Sequence, residues 1–147
     1  IFEIPIQENV PSVSGSEANE KLYLTNWCSY NGELLTVQLT AMINVNDGYY
    51  YTIPNRWVGN IAILKDTASN LREIFKYNSE DMTVGSSLLY IKAVKKKSWD
   101  EGKYKAEGVF EIANDGETSY ICRISETAAK EGLTLEDVRN NFVMTGN

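Results

Sequence analysis

Three Asx-Gly pairs constrain the fold of this chain more than any other feature. They are Asn31-Gly32, Asp47-Gly48 and Asp115-Gly116, and each lies between runs in which apolar and polar residues alternate. Asn, Asp and Gly tolerate the positive φ that both central residues of a type I′ turn require, so each pair predicts a β-hairpin. We therefore expect a chain built from antiparallel β-ribbons.

A two-residue turn also predicts the register of each hairpin. At Asn31-Gly32 it places Cys28 opposite Leu35, which puts the apolar residues of both strands on one face. A shift by one residue would move every side chain to the other face, so pattern and turn chemistry agree on this pairing. The same reasoning places Phe110 opposite Ile121 in the third hairpin.

Further strands are expected outside the first and third hairpins. They cover residues 1–6, the ribbon 41–53, and residues 61–65, 71–77 and 87–95. Pro5 lacks an amide hydrogen, which places the first strand at a sheet edge. Residues 71–77 also fit a helical face, but the short segment rich in aromatic and branched residues favours a strand.

The C-terminal region changes from strand to helix signals. Ser125 is expected to cap a short helix over residues 126–131 that Gly132 ends. Thr134 and Asp137 have the spacing of a capping box at the start of a second helix. The predicted fold class is α+β, mainly a meandering antiparallel β-sheet of seven to nine strands with a small C-terminal helical cap. Residues 1–20 are expected to form an edge strand and polar linker, and residues 21–147 a single domain.

Composition excludes several kinds of function. The chain has 147 residues and no histidine, which removes the usual catalytic triads, Cys–His dyads and histidine-containing zinc sites. Its two cysteines are too few for a structural zinc site, so we predict no metal, no cofactor and no catalytic residue. The net charge of −6 argues against a nucleic-acid partner. No window is long and apolar enough to span a membrane.

Cys28 and Cys122 each lie within a predicted strand. One interpretation joins them in a disulfide, which would indicate an oxidising compartment. The other leaves two separate buried thiols, since free cysteine is among the most buried residue types. The residues alone leave both interpretations open.

The candidate binding surface is an aromatic patch. Tyr49 and Tyr51 are expected on one face of a strand, with Trp57 nearby and Trp99 as a further exposed anchor. Such rings can stack on a sugar or contact a partner protein. Ordinary cross-strand packing of the same rings is the alternative.

Two acidic patterns suggest other chemistry only weakly. Neighbouring carboxylates at Glu80-Asp81, Asp100-Glu101 and Glu136-Asp137 raise a glycosidase-like hydrolase as an alternative function. Adjacency in sequence does not give the separation that such an enzyme needs, so solvated turn and helix-cap residues are the favoured interpretation. Residues 44–48 begin like a calcium loop but lack the later acidic ligand, which favours a turn.

A family resemblance adds an expectation about location. The stretch 43–60, with its Tyr-rich strand leading to Pro54 and a Trp57-containing turn, resembles uncharacterised exported proteins and lipoproteins of Gram-positive Clostridia-type bacteria. The strand 88–91 and the helix start 133–138 are also similar, so the resemblance spans about residues 21–142. It implies an extracellular or surface-attached protein and transfers no functional residue.

These observations together predict a non-catalytic extracytoplasmic binding module of a bacterial surface or secreted protein. Its expected partner is a protein or a glycan, and the sequence does not indicate an oligomeric state. A secreted hydrolase that uses a carboxylate pair and a purely structural domain are the alternatives.

Overall fold

The computed structural model describes residues 2–13 and 22–146, and 55% of these residues are in strands while 15% are in helices. Ten strands form two five-stranded sheets. The strands are β1 (Phe2–Val10), β2 (Leu22–Tyr30), β3 (Leu35–Asn44), β4 (Tyr49–Thr52), β5 (Ile61–Asp66), β6 (Leu71–Asn78), β7 (Thr83–Lys95), β8 (Val109–Asn114), β9 (Thr118–Ile124) and β10 (Phe142–Met144). The helices are α1 (Lys96–Asp100), α2 (Glu126–Lys130) and α3 (Leu135–Asn141).

The described strands do not form the single meander that the hairpin pattern suggested. Sheet A has the order β1-β2-β3-β4-β10 and sheet B the order β5-β6-β7-β9-β8, and the paired strands are antiparallel. The chain leaves sheet A at Pro54, which has no amide hydrogen to continue a ladder, and a 3₁₀ turn follows over Asn55–Trp57. Because each ribbon has one apolar face, a second layer is needed to bury it.

The Asx-Gly pairs lie at hairpin ends as predicted, but none forms a two-residue type I′ turn. Only the glycine of each pair has a positive φ, at 99°, 76° and 94° for Gly32, Gly48 and Gly116. The loops contain three or four residues. Asn31 and Asp115 close their turns with their own side chains, whereas in the loop of Asp47 the Asn44 side chain accepts from the Asp47 amide. The Asn31 Oδ1, for example, accepts hydrogen bonds from the amides of Glu33 and Leu34 at 3.0 and 2.9 Å.

The longer loops change the predicted registers. Cys28 pairs with Val37 rather than Leu35, and a register shift follows at the next pair along the ladder. Phe110 pairs with Cys122 rather than Ile121, next to a second irregularity in β8. Both predictions were wrong because they assumed the shortest loop and an unbroken ladder, whereas a bulge inserts one extra residue into one strand.

The core lies between the inner faces of the two sheets. Sheet A contributes side chains that include Leu24, Met42 and Tyr49, and sheet B contributes Ile74 and Leu89, all of them buried. Three rings connect the layers, since Tyr49 lies 5.7 Å from Tyr120 and 5.0 Å from Phe142 between ring centroids. The Tyr120 hydroxyl also donates a hydrogen bond to the Asp47 carbonyl at 2.5 Å.

The C-terminal helices begin where the sequence predicted. The Ser125 side chain accepts from the Ala128 amide at 3.0 Å, and Thr134 and Asp137 form the complete capping box. Helix α2 packs against β7 and α3 against β8. Two short elements were not predicted, namely α1 and β10, which pairs Phe142 with Tyr51 and returns the chain to sheet A.

The N-terminal strand lies at the edge of sheet A as predicted, but it is longer. Residues 7–10, expected to begin a linker, continue β1, and Ser12 forms a parallel bridge to Ile63 at the edge of sheet B. The rest of the predicted linker, residues 14–20, lies outside the described residues. The strand favoured over residues 71–77 is confirmed as β6.

Within residues 2–13 and 22–146, none of the helices is long and apolar enough to cross a membrane.

Candidate functional site

The predicted aromatic patch does not form a surface. Tyr49 and Tyr51 are fully buried and Trp57 is 3% exposed, whereas Trp99 is half-buried on α1. The prediction was wrong because β4 turns alternate residues toward sheet B, so only Tyr50 and Thr52 of that strand face outward. Burial also raises the pKa of the Tyr49 and Tyr51 hydroxyls, which keeps both rings neutral in the core.

The two cysteines are free thiols and do not form the candidate disulfide. Cys28 lies in sheet A, where its Sγ contacts the Asn26 carbonyl at 3.8 Å, and Cys122 lies in β9 of sheet B. Because the thiols belong to different sheets, each is buried by its own neighbours. Burial raises the pKa of Cys122 to about 12, so this thiol stays protonated near neutral pH.

The neighbouring carboxylates lie in exposed turns and helix ends. Glu80-Asp81 lies in the turn between β6 and β7, Asp100-Glu101 at the end of α1, and Glu136-Asp137 in the first turn of α3. Each has a local role, as Asp137 in the capping box shows. Among the residues that the structure describes, no group of three or more Cys, Asp or Glu side chains could hold a metal ion.

A group of partly exposed apolar side chains lies at the far end of sheet A. There the inner face of β1, β2 and β3 continues beyond the core, and we call its side chains the apolar extension: Ile4, Ile6, Cys28, Tyr30, Leu35 and Val37. Ile4, Cys28 and Val37 form one row across the three strands. Leu35 is 45% exposed and Val37 55% exposed. The bulge between Val37 and Leu39 reverses the alternation along β3, so both side chains share a face with the fully buried Met42.

The strands of sheet A carry acidic residues but no basic ones. Their only charged residues are Glu3 and Glu8 in β1, and none of the five strands contains Lys or Arg. Glu8 accepts a hydrogen bond from the Asn26 side chain at 2.8 Å beside the apolar extension, and exposed Glu33 lies in the adjoining loop. The extension is therefore an apolar surface with acidic groups at its rim.

The opposite face of the same ribbon holds a smaller groove of about 290 Å³. Half-buried Trp27 and Tyr50 lie in it. Its complete lining is Glu3, Trp27, Gln38, Leu39, Ile43 and Tyr50. Apolar side chains therefore line both faces of this ribbon, which distinguishes it from a half-covered sheet with a polar outer face.

A larger polar cavity of about 610 Å³ lies near the opposite end of the molecule, where the β3–β4 loop meets the ends of β5 and β7. We call it the lysine cleft because Lys92, Lys95 and Lys103 line it. The Lys92 amine lies 5.1 Å from the centre of the Tyr104 ring, and Asp47 is the one carboxylate among the lining residues.

Neither the apolar extension nor the lysine cleft was predicted from the sequence, for different reasons. The apolar extension has a visible signal, because residues 22–55 contain no Lys or Arg and β1 alternates isoleucines. The lysine cleft has no such signal in the sequence. Lys92 and Lys95 lie near the end of β7 and Lys103 lies in the turn after α1, and only the fold brings these two segments together.

Comparison with protein-family models, with curated proteins and with solved structures finds no match for this chain.

Proposed function

We propose that this protein is a non-catalytic binding module that holds a partner protein on the apolar extension of sheet A. One observation carries the proposal: the exposure of Leu35 and Val37 on the face that is fully buried at Met42. Contiguous exposed apolar side chains with a polar rim are typical of protein-interaction surfaces. A partner that covers these side chains would bury the part of the inner face of sheet A that sheet B leaves exposed.

The charges favour a partner with basic residues around an apolar centre. Glu8 and Glu33 lie at the rim of the extension, and no strand of sheet A offers a cation to balance them. Complementary Lys or Arg side chains on the partner would speed association and fix its orientation. A second copy of the same face would instead bring like charges together.

The groove on the opposite face of the ribbon favours a protein partner over a single sugar. The groove that contains Trp27 and Tyr50 lies on the other face of β1, β2 and β3 and reaches β4 at Tyr50. A partner that wraps the ribbon could contact both faces, whereas a small glycan would occupy the groove alone. We therefore propose a protein partner, with a glycan in the groove as the competing outcome.

An extracytoplasmic location belongs to the same proposal and rests on the sequence resemblance described above. The free thiols lend it no support, because the candidate disulfide was its other argument. Cell fractionation with an antibody against the protein tests it, and recovery in the cytoplasmic fraction would contradict it.

Selection from a peptide library displayed on phage tests the binding surface. The wild-type protein is the target, and the Ile4→Ser/Val37→Ser double variant removes peptides that bind elsewhere. We expect the selected peptides to combine apolar residues with Lys or Arg. Their synthetic versions should bind the double variant at least about tenfold more weakly, equivalent to about 1.4 kcal/mol.

A matched control uses exposed apolar residues of sheet B. Met82 and Val84 are 77% and 42% exposed, and the Met82→Ser/Val84→Ser variant should bind the peptides as the wild type does. Equal binding to all three proteins would overturn the proposal. Sedimentation velocity tests the alternative that two copies of this chain bind each other. A wild-type dimer that the Val37→Ser change abolishes would identify the partner as a second copy of this chain.

A further inference from the structure

We propose that the lysine cleft binds a small anion with two or more negatively charged groups, such as a diphosphate or a tricarboxylate. The cleft lies apart from the apolar extension, so this inference is independent of the proposed function. It is also the largest cavity described above, at about 610 Å³, a volume within the range of small-molecule sites.

The positive charge in the cleft stands out against the rest of the molecule. Lys92, Lys95 and Lys103 line it together with the single acid Asp47, although the whole chain has a net charge of −6. Within the described part of the chain, none of the three amines forms an ion pair with a carboxylate. The neighbouring Lys96, by contrast, pairs with Asp100 at 2.6 Å and with Glu111 at 3.5 Å.

The Asp47 carboxylate is already engaged by another side chain. Its Oδ2 accepts a hydrogen bond from the Asn44 amide at 2.9 Å, and Asn44 Oδ1 accepts from the Asp47 backbone amide at 3.0 Å. Asp47 is therefore held within its own loop. Its negative charge still opposes the amines, but three cations face this one carboxylate, so the lining keeps a net positive charge that attracts an external anion.

Backbone hydrogen bonds position the lysines from two separate segments. Lys92 and Lys95 belong to β7, where the Ala93 amide donates to the Asn70 carbonyl at 3.1 Å. Lys103 follows α1, and its amide donates to the Ser98 carbonyl at 3.1 Å after Gly102 turns with a φ of 80°. The lysines thus reach the cleft from two separate segments, which favours a ligand with several charged groups.

Uncharged donors complete the lining. Asn70, Ser98 and Thr118 offer amide or hydroxyl groups that can bond anion oxygens between the amines. Lysine acts as a point charge toward phosphate or carboxylate rather than as a planar fork. The cleft therefore favours an anion with several separated oxygens over a single flat carboxylate.

Titration calorimetry with pyrophosphate and with citrate, at constant ionic strength, tests the inference. The expected result is binding of at least one of them by the wild type, with acetate and chloride inactive. The Lys92→Gln/Lys95→Gln/Lys103→Gln variant should bind at least tenfold more weakly. Lys105→Gln is the matched control, because Lys105 is on the same loop but lies over the Trp99 ring at 5.9 Å.

Thermal unfolding of each variant without anion confirms that it is folded before binding is compared. Absence of pyrophosphate and citrate binding to the folded wild type would overturn the inference. Equal binding by the triple variant, or equal displacement by acetate and chloride, would also overturn it, because the effect would then be general screening. Failure here would leave the peptide-binding surface of sheet A unaffected.

Discussion

The two sheets of this protein have the same number of strands and the same antiparallel pairing but different surroundings. Sheet B carries charged residues of both signs, such as Lys65, Arg72 and Glu73, on strands whose inner side chains lie in the core. Sheet A has no basic residue in its strands, and part of its inner face is exposed. Alternation along a strand creates an apolar face, whereas only a second layer buries it.

The contrast is sharpest within β3, where one strand passes from the covered to the uncovered region. Met42 is fully buried, while Leu35 on the same face is 45% exposed. We expect Met42→Ala to lower the free energy of unfolding by about 2–5 kcal/mol, because it leaves a cavity in the core. Leu35→Ala should cost less than about 1 kcal/mol, since little buried contact is lost.

Urea denaturation of both variants measures this difference. Similar losses of stability for Met42→Ala and Leu35→Ala would contradict the comparison, because they would indicate that the end of sheet A is covered in solution. Leu35→Ala should also leave the slope of the unfolding transition unchanged.

The thiols give a second, smaller contrast between the sheets. Cys122 belongs to the core cluster between the layers and has a pKa raised to about 12, whereas Cys28 lies outside that cluster, between Ile4 and Val37 in the apolar extension. We expect a thiol reagent to modify Cys28 in the native protein at least about tenfold faster than Cys122, because local opening of the ribbon costs less free energy.

The single variants Cys28→Ser and Cys122→Ser show which thiol each of the two modification rates belongs to. Denatured, unreduced wild-type protein should react at both cysteines, as expected for free thiols. A count below two would indicate a disulfide, and equal native rates would remove the proposed difference between the sheets.

Two turns provide the most delicate comparison. Asn31 in sheet A and Asp115 in sheet B each accept two backbone amide hydrogen bonds through Oδ1, at 3.0 and 2.9 Å and at 2.9 and 2.7 Å. The amides of Thr118 and Glu117 lower the pKa of the Asp115 carboxyl below its unfolded value. Asn31 makes the same turn with a neutral acceptor.

The sign of the pH effect follows from that lowered pKa. The charged Asp115 contributes stability above its unfolded pKa, near 3.9, and this contribution is lost as the pH falls through the lower folded value. We expect the stability difference between the wild type and Asp115→Asn to shrink between pH 6 and pH 3. Asn31→Asp should introduce a similar dependence on pH.

Chemical denaturation of the three proteins across this pH range tests the prediction. The comparison uses differences from the wild type, because other carboxylates titrate in the same range. A difference between the wild type and Asp115→Asn that stays constant from pH 6 to pH 3 would contradict it.

Local signals in the sequence located the three hairpins and both C-terminal helices. They succeeded because the groups that satisfy each end lie within a few residues, as the Ser125 hydroxyl and the Ala128 amide do. They failed for the pairing of Cys28 with Val37, because a bulge changes the register without changing the alternation of the flanking residues.

By itself, the sequence determined the antiparallel ribbons, the helix caps and the absence of histidine chemistry, because each depends on residue type or on neighbours close along the chain. Only the tertiary structure decided which apolar face is covered, that Tyr49 and Tyr51 are buried, and that three lysines share one cleft. Those outcomes depend on how two sheets stack and where one extends past the other, and that offset is set by contacts between residues far apart in the chain.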